Sequence, residues 1–593
     1  MAKKTSRTRK SGKPAARKKA TKTSLSRKKA TVAAKKPATK RATTRSAAKK
    51  GTSKKKTATK VAIPIAKKGS SSSASRKVAT KPSTARTGLK TAAKRKPTAR
   101  AVNTLKGISD IRRYFHRNEV PLYFISATNF NLLGADEWIK GFKFITYIDC
   151  FDGLHPNLMS PKTEEPHEEF QSIEDINNYL LTHSEVRDFI ESRRMSSKTA
   201  GKALFLMFDE KTEALAKKAG LEVVFPPAKL RSWLDNKVNT NRVAEKAGVP
   251  CVPYVLHPLK NFDHLMQVAA KGKLGNDLVV QTPYGDSGHT TFFIKTKEEY
   301  AKYAKEIEAE KECKIMKRIN CRGAAMEACV TRHGTIVAPL MTELVGFKEL
   351  TPYKGGWCGN EIFADTFTPA IRAKARRYAK KFGDQLLKEG YKGYFELDYL
   401  IDKDNGEIYL GELNPRVTGA SSITNHAVFA LSDAPLHLFH TLEWMNEPYE
   451  LNVNALNRRW AKDENIDSWG QMVIKYTTDD VQRVTEAPRS GIWRMRDDGS
   501  IYFWRMDTHR RYVEKDNEAF FLRITRPGDW FYEGADMGIL VMRGRMMTDD
   551  FLLTERAKKW LAAIRTQFKS VAPGAHGSNG HEHMLEIGGF KMM

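Results

Sequence analysis

The sequence predicts a mixed α/β and α+β protein: a small parallel α/β layer, a larger α+β region built around a two-stranded hairpin, and a β-rich C-terminal region ending in a helix. Three observations carry this. Short apolar runs alternate with amphipathic helical stretches from about residue 120 onward. One segment, 395–401, alternates strictly between apolar residues and positions that include two carboxylates. After residue 450 the apolar runs follow one another without helical patterns between them.

Ahead of these regions lies a different kind of polymer. Residues 1–100 hold 35 of the 102 Lys and Arg and no Asp or Glu, so the remainder carries 67 of each sign and the formal charge of +35 belongs entirely to the first hundred residues. Stretches such as "KKPATKRATTRSAAKK" contain almost nothing that can be buried, and residues 1–105 are expected to be disordered. Like charge in this density suits a polyanion, with nucleic acid (DNA or RNA) as the expected partner through counterion release. The composition resembles histone H1-type tails. No stretch approaches the roughly 20 apolar residues of a membrane span, so no membrane partner is expected. The six cysteines form no C-x-x-C pair and read as reduced thiols of a cytoplasmic protein, nucleoid-associated or nuclear according to the cell type.

The folded part divides by pattern. Residues 106–232 contain "PLYFIS", "FKFITYID", "KALFLMFD" and "LEVVF", the last two flanking the amphipathic "EKTEALAKKAG", which is the strand–helix–strand pattern of a parallel layer. Residues 233–445 open with "LDNKVNTNRVAEKAGVP", a helix stopped by Gly248 and Pro250, with Lys237 near its N-terminus where backbone N–H groups favour an anion. "DLVVQTPYGDSGHTTFFI" then gives strand, Gly-rich loop, strand. In that loop Gly285, Ser287 and Gly288 allow the backbone N–H groups to face a phosphate, although an ordinary hairpin loop has the same look.

The hairpin "GYFELDYLIDKDNGEIYLGELNPR" is the most informative segment. Phe395, Leu397, Tyr399 and Ile401 form a core face, leaving Glu396 and Asp398 on the other; on the second strand Glu412 and Asn414 occupy the even positions. Matching the core faces requires opposed residue numbers to sum to an even number, which a three-residue loop Asp404-Asn405-Gly406 provides. Asp398 then stands opposite Glu412, and Glu396 opposite Asn414. Directly opposed carboxylates repel, so a cation is expected between them, and an oxygen-only donor set suits Mg²⁺, with Mn²⁺ as the alternative.

Taken together, "NKVNTNRVAEKAGVPCVP", "VVQTPYGDSGHTTFFI" and "FELDYLIDKDNGEIYLGELNPR" resemble, in order and spacing, the ATP-grasp superfamily, in the branch of biotin carboxylase and carbamoyl-phosphate synthetase. The resemblance implies ATP and Mg²⁺ as cofactors and ligation of a small carboxylic acid to an amine through an acyl-phosphate. It implies that Asp398, Glu412 and Asn414 hold the metal and that Arg416, with Glu412 and Asn414, forms the catalytic set. Lys237, Gln281, Gly285, Ser287 and Gly288 surround the phosphates, backbone near Lys317 and Ile319 reads adenine, and Glu327 meets the ribose. Lys348 or Lys354 could add a cation. The chain departs from the pattern at Gln281, where a lysine is usual, and at Met316, where a hinge glutamate is common. A bicarbonate-handling glutamate is also absent from "VTGASSITNH", which speaks against biotin carboxylase itself. Gly419 to Ser422 either let a substrate carboxylate approach the backbone or form a plain turn.

Residues 446–570 read as strands ("QMVIKY", "GIWRMR", "SIYFWRM", "GILVMRG") and a helix carrying Ala557, Trp560, Leu561, Ile564 and Phe568. The ending, 571–593, reads as a flexible tail, with His576, His581 and His583 as alternative metal donors. Three functions stay open on these grounds: the ligase, an ATP sensor without turnover kept open by Gln281, and an ATP-grasp kinase or thioester-forming ligase.

Overall fold

The computed structural model describes residues 104–162, 170–285 and 290–573. The expectations for residues 1–100, for Ser287 and Gly288, and for the His-containing ending lie outside the described residues.

The first layer is a parallel sheet of β1 (Leu122–Ser126), β2 (Phe142–Thr146), β3 (Leu158–Met159), β4 (Gly201–Phe205) and β5 (Leu221–Val223), in the order β3-β2-β1-β4-β5. Every residue of β1 is buried, as both faces of a parallel sheet should be. Helix α1 (Ile173–Thr182) packs on it, and α2 (Glu210–Lys218) supplies the crossover between β4 and β5. A short helix, α3 (Ala228–Asp235), then brings the chain to α4 (Lys237–Ala247). The Asn236 side chain accepts from the backbone N–H groups of Val238 and Asn239 at 3.0 and 3.2 Å, which starts α4, and Gly248 at φ +63° ends it.

A second, antiparallel sheet contains β6 (Tyr254–His257), β7 (Leu278–Gln281), β8 (Thr291–Ile294) and β9 (Cys313–Lys317), ordered β6-β9-β7-β8. Leu278, Val280, Cys313 and Ile315 share a core with α5 (Phe262–Lys271). The opposite face carries Val279, Gln281, Lys314 and Met316 and turns toward the hairpin.

The third sheet holds β10 (Cys321–Thr331), β11 (Gly334–Val337), β12 (Met341–Val345), β13 (Trp357–Ile362), β14 (Gly393–Asp402) and β15 (Ile408–Asn414). It continues through β16 (Trp469–Lys475) into β17 (Gly491–Met495), β18 (Ile501–Arg505), β19 (Glu518–Arg523) and β20 (Asp536–Arg543). The strands expected of residues 446–570 therefore extend the sheet that carries the hairpin. β19 had no counterpart in the sequence reading. The closing helix, Glu555–Arg565, buries Ala557, Trp560, Leu561 and Ile564, while Phe568 lies beyond its end.

The hairpin pairs as expected at its inner end and not at its tip. Asp398 faces Glu412 and Glu396 faces Asn414, but Tyr399 faces Leu410 and Ile401 faces Ile408. Gly411 is the extra residue of a bulge. The tip is consequently a four-residue turn, 403–406, closed by the Asp402 N–H on Glu407 O at 2.9 Å, with Gly406 left-handed at φ +71°. The bulge restores the register that an odd loop would have given. It also switches the core face of β15 from Leu413 to Leu410 and Ile408, leaving Tyr409 half-buried on the side of the second sheet.

Candidate active site

The hairpin's polar face, the end of α3 and the loop after β7 enclose a cleft of about 340 Å³. Its inner end holds Glu343, Glu396, Asp398 and Glu412 with Asn414 and Arg416; Glu174, Arg231 and Asp235 line the side contributed by the first layer.

Lys237, the first residue of α4, is buried, and its ammonium donates to Glu412 Oε1 at 2.5 Å and Gly285 O at 2.7 Å. The Asn414 amide donates to Asp398 Oδ2 at 3.1 Å and accepts from Arg416 Nη2 at 2.9 Å, while the buried Arg416 Nε has no partner. The alternation of β14 and β15 thus places Asp398, Glu412 and Asn414 on one face, with Asn414 linking Asp398 to Arg416 just beyond the strand and Glu412 held by Lys237. Burial, reinforced by Glu327 and Glu343, holds the Glu396 carboxyl well above the usual carboxylate range. Burial, then Glu343, Glu396 and Glu412, does the same to Asp398, with Arg416 opposing. Glu343 is pushed up to about 7 by burial and by Glu412. These carboxylates are short of positive charge. Among the described residues no three His, Cys, Asp or Glu side chains stand together as a metal site.

Glu396 and Glu343 were missed as site residues. The strand alternation already placed Glu396 beside Asp398, and that signal could have found it; Glu343 comes from β12, whose neighbour in space no local pattern reveals.

The phosphate-loop expectation is partly described. Gly285 has φ +134°, and a Cβ there would meet Thr290 at 2.1 Å, so the loop start requires glycine. Gln281 is buried, donates to Thr291 Oγ1 at 3.1 Å and leaves its Oε1 without a partner. Val252, Val279 and Met316 form a small apolar cluster with Tyr254, Ile319, Leu400 and Tyr409 between the second sheet and the hairpin. Lys317 is exposed beside it, and Lys348 and Lys354 are exposed outside the cleft.

Glu327 requires a correction. It is fully buried, accepts from Tyr394 Oη at 2.6 Å, Ser421 Oγ at 2.5 Å and Thr418 Oγ1 at 3.2 Å, and does not line the cleft. A ribose hydroxyl has no access to it. The turn 418–421, whose Thr418, Gly419 and Ala420 line the cleft, is held by its own hydrogen bonds: the Thr418 N–H donates to Ser421 Oγ, the Ala420 N–H to Thr418 Oγ1 and the Ser421 N–H to Thr418 O. Gly419 lies so close to Trp357 that a Cβ would meet the indole at 2.2 Å.

No protein-family model matches the sequence, and no curated protein is significantly similar to it. Solved structures do match. Biotin carboxylase from Campylobacter jejuni, as its β,γ-ATP complex, is 13% identical, with 76% of this chain covering 93% of that one at a TM-score of 0.52. Phosphoribosylamine–glycine ligase from Thermotoga maritima is 12% identical over 76% of this chain and 97% of its own, at 0.46. Carboxyaminoimidazole ribonucleotide synthase from Aspergillus clavatus, complexed with ATP, is 13% identical over 72% and 94%, at 0.45. With the hairpin, the antiparallel sheet above it and the layer before it arranged as described, the chain has the ATP-grasp fold.

Proposed function

We propose that the chain is an ATP-dependent carboxylate–amine ligase acting through an acyl-phosphate. The observation that carries this reading is the open oxygen face of the hairpin, where Asp398, Glu412 and Asn414 stand with the buried cations Lys237 and Arg416. Carboxylates and an amide are hard donors, and raised proton affinities at Asp398 and Glu396 mark a place that lacks positive charge. Asp398, Glu412 and Asn414, joined by Glu396, would hold Mg²⁺, or Mn²⁺ in its place, an open donor set leaving room for phosphate oxygens and water. The metal would supply neutralisation of phosphate charge.

The remaining work falls to the chain. Lys237, at a helix N-terminus, binds phosphate oxygens, and Gly285 lets the loop lie close to them. The apolar cluster of Val252, Val279 and Met316 takes the adenine ring, with the backbone near Lys317 and Ile319 alongside. A carboxylate oxygen of the acid accepts the γ-phosphoryl group as its bond to ADP breaks. An amine nitrogen then attacks the acyl carbon, phosphate leaves, and the nitrogen loses a proton. Arg416, with an unpartnered Nε, stabilises the anionic acyl-phosphate. At the opposite side Glu174 and Asp235 are paired with Arg231, at 3.7 and 3.3 Å.

A screen of acids and amines for ADP and phosphate release, with mass spectrometry of products, tests this. Release that needs both an acid and an amine is the expected result. A phosphorylated product without an amine would replace the ligase with a kinase, and nucleotide binding without product would favour a sensor, the reading that the neutral Gln281 supports. Composition adds a tether: the basic first hundred residues would hold the enzyme on nucleic acid or another polyanion. If about ten cations engage, the logarithm of affinity falls with that of salt at a slope near −9, and a chain beginning at Ala101 loses the binding.

A further inference from the structure

Lys314 is a buried cation whose situation nothing in the fold explains. It sits in β9 with 1% of its surface exposed, and among the described residues its ammonium makes one hydrogen bond, to Gly411 O at 3.4 Å, longer than an ordinary N–H···O contact. An ammonium has three donors, and withdrawing it from water is costly unless they are satisfied. Its charged neighbours are Glu412, already held by Lys237, and Lys237 itself. Across the strand pair Lys314 faces Gln281, so the two side chains leave the sheet on the same side, toward the hairpin. Gln281 brings a second unmet group, the buried Oε1. The remaining N–H donors of the Lys314 ammonium, close to Lys237, can take an anion's oxygens; the Gln281 oxygen, itself an acceptor, adds no attraction for one.

We propose that Lys314 is a phosphate-binding cation of the cleft, supplied by the strand beside Gln281 and acting where Gln281 itself brings no charge. The ligand is the polyphosphate of a nucleoside di- or triphosphate. The inference rests on the nucleotide reading of the cleft and adds a residue to it. Lys314 stands behind Glu412, which lines the cleft, and does not line it directly; the bulge at Gly411 brings a hairpin carbonyl to its ammonium, the contact that a phosphate oxygen would replace.

The test is ADP and adenosine binding by calorimetry on the full chain at fixed salt, together with thermal unfolding. Lys314→Gln should weaken ADP about tenfold or more, the loss of a charge-assisted bond, and leave adenosine affinity unchanged. Its unfolding temperature should hold or rise, because an ill-satisfied buried charge is gone. The double variant Gln281→Lys/Lys314→Gln, which returns a cation from the neighbouring strand, should regain most of the ADP affinity. ADP affinity unchanged in Lys314→Gln while the wild-type protein binds ADP would overturn the role of Lys314 and leave the nucleotide reading standing. A fall in unfolding temperature without loss of ADP affinity would do the same by making Lys314 a structural counter-ion of Glu412. Failure of the wild-type protein to bind ADP or adenosine would overturn the nucleotide reading and this inference with it. Should Lys314→Gln not fold, the double variant decides: wild-type affinity supports the proposal, and a folded double variant that does not bind ADP refutes it.

Discussion

Glu327 and Glu396 are directly opposed across β10 and β14, on one face of one sheet, and both are buried, yet they do opposite things. Burial raises both carboxyls. Around Glu327 the surroundings answer that cost with donors: three hydroxyls, from Thr418, Ser421 and Tyr394, and a roof formed by the 418–425 segment. Around Glu396 the neighbours that raise it further are the two carboxylates Glu327 and Glu343, opposed by a hydrogen bond from Thr418 and the charge of Arg416. The difference teaches how to sort buried acids. A carboxylate whose lone pairs are met by neutral donors belongs to the fold, and one surrounded by its own charge belongs to a ligand that brings the opposite charge.

The sharpest break of this comparison is on the cleft side. Glu412→Gln should reduce ligase turnover at least a thousandfold, roughly 4 kcal/mol of transition-state stabilisation, while the protein remains folded; near-normal phosphate release would remove the hairpin from the chemistry. On the other side, Glu327→Ala should cost about 3 kcal/mol of stability, because hydroxyls of Tyr394, Ser421 and Thr418 lose their shared acceptor at once. Denaturant unfolding measures this. A Glu327→Ala protein of wild-type stability that has lost nucleotide affinity would reverse the assignment of the two acids.

The hairpin was legible because strand alternation is a local rule: two residues per repeat place Asp398 against Glu412 whatever the rest of the fold does. The tip was not, because a bulge and a loop length trade against each other, and Gly411 carries no mark that separates a bulge residue from a small core residue. Glu327 was misread for a related reason. Spacing puts it on the cleft face of the sheet, but the segment that covers it lies more than ninety residues later in the chain, at Thr418 and Ser421. The Glu174–Arg231–Asp235 side of the cleft was invisible, since those residues sit in ordinary helical stretches and become a site only when the first layer docks beside the hairpin.

The smallest effect is the most discriminating. Glu396→Gln removes an acid whose folded proton affinity is raised above its unfolded value, so the sign of its stability contribution is fixed. In wild-type protein without metal, the folded state binds the Glu396 proton more tightly than the unfolded state does. Stability from this group is therefore fully present below the unfolded carboxylate range, near pH 4, and is lost as pH rises toward the raised folded value. The amide cannot ionise, so Glu396→Gln should match wild type near pH 4 and become progressively more stable than it toward neutral pH, by about 1.4 kcal/mol for each pH unit until the raised folded value is reached. Mg²⁺ with ADP should erase the difference by stabilising the charged wild-type group. Thermal unfolding of both proteins from pH 4 to 8, with and without Mg²⁺ and ADP, measures it. A Glu396→Gln protein less stable than wild type at pH 7 would show that Glu396, like its neighbour Glu327, is a satisfied acid of the fold, and would dissolve the contrast between them.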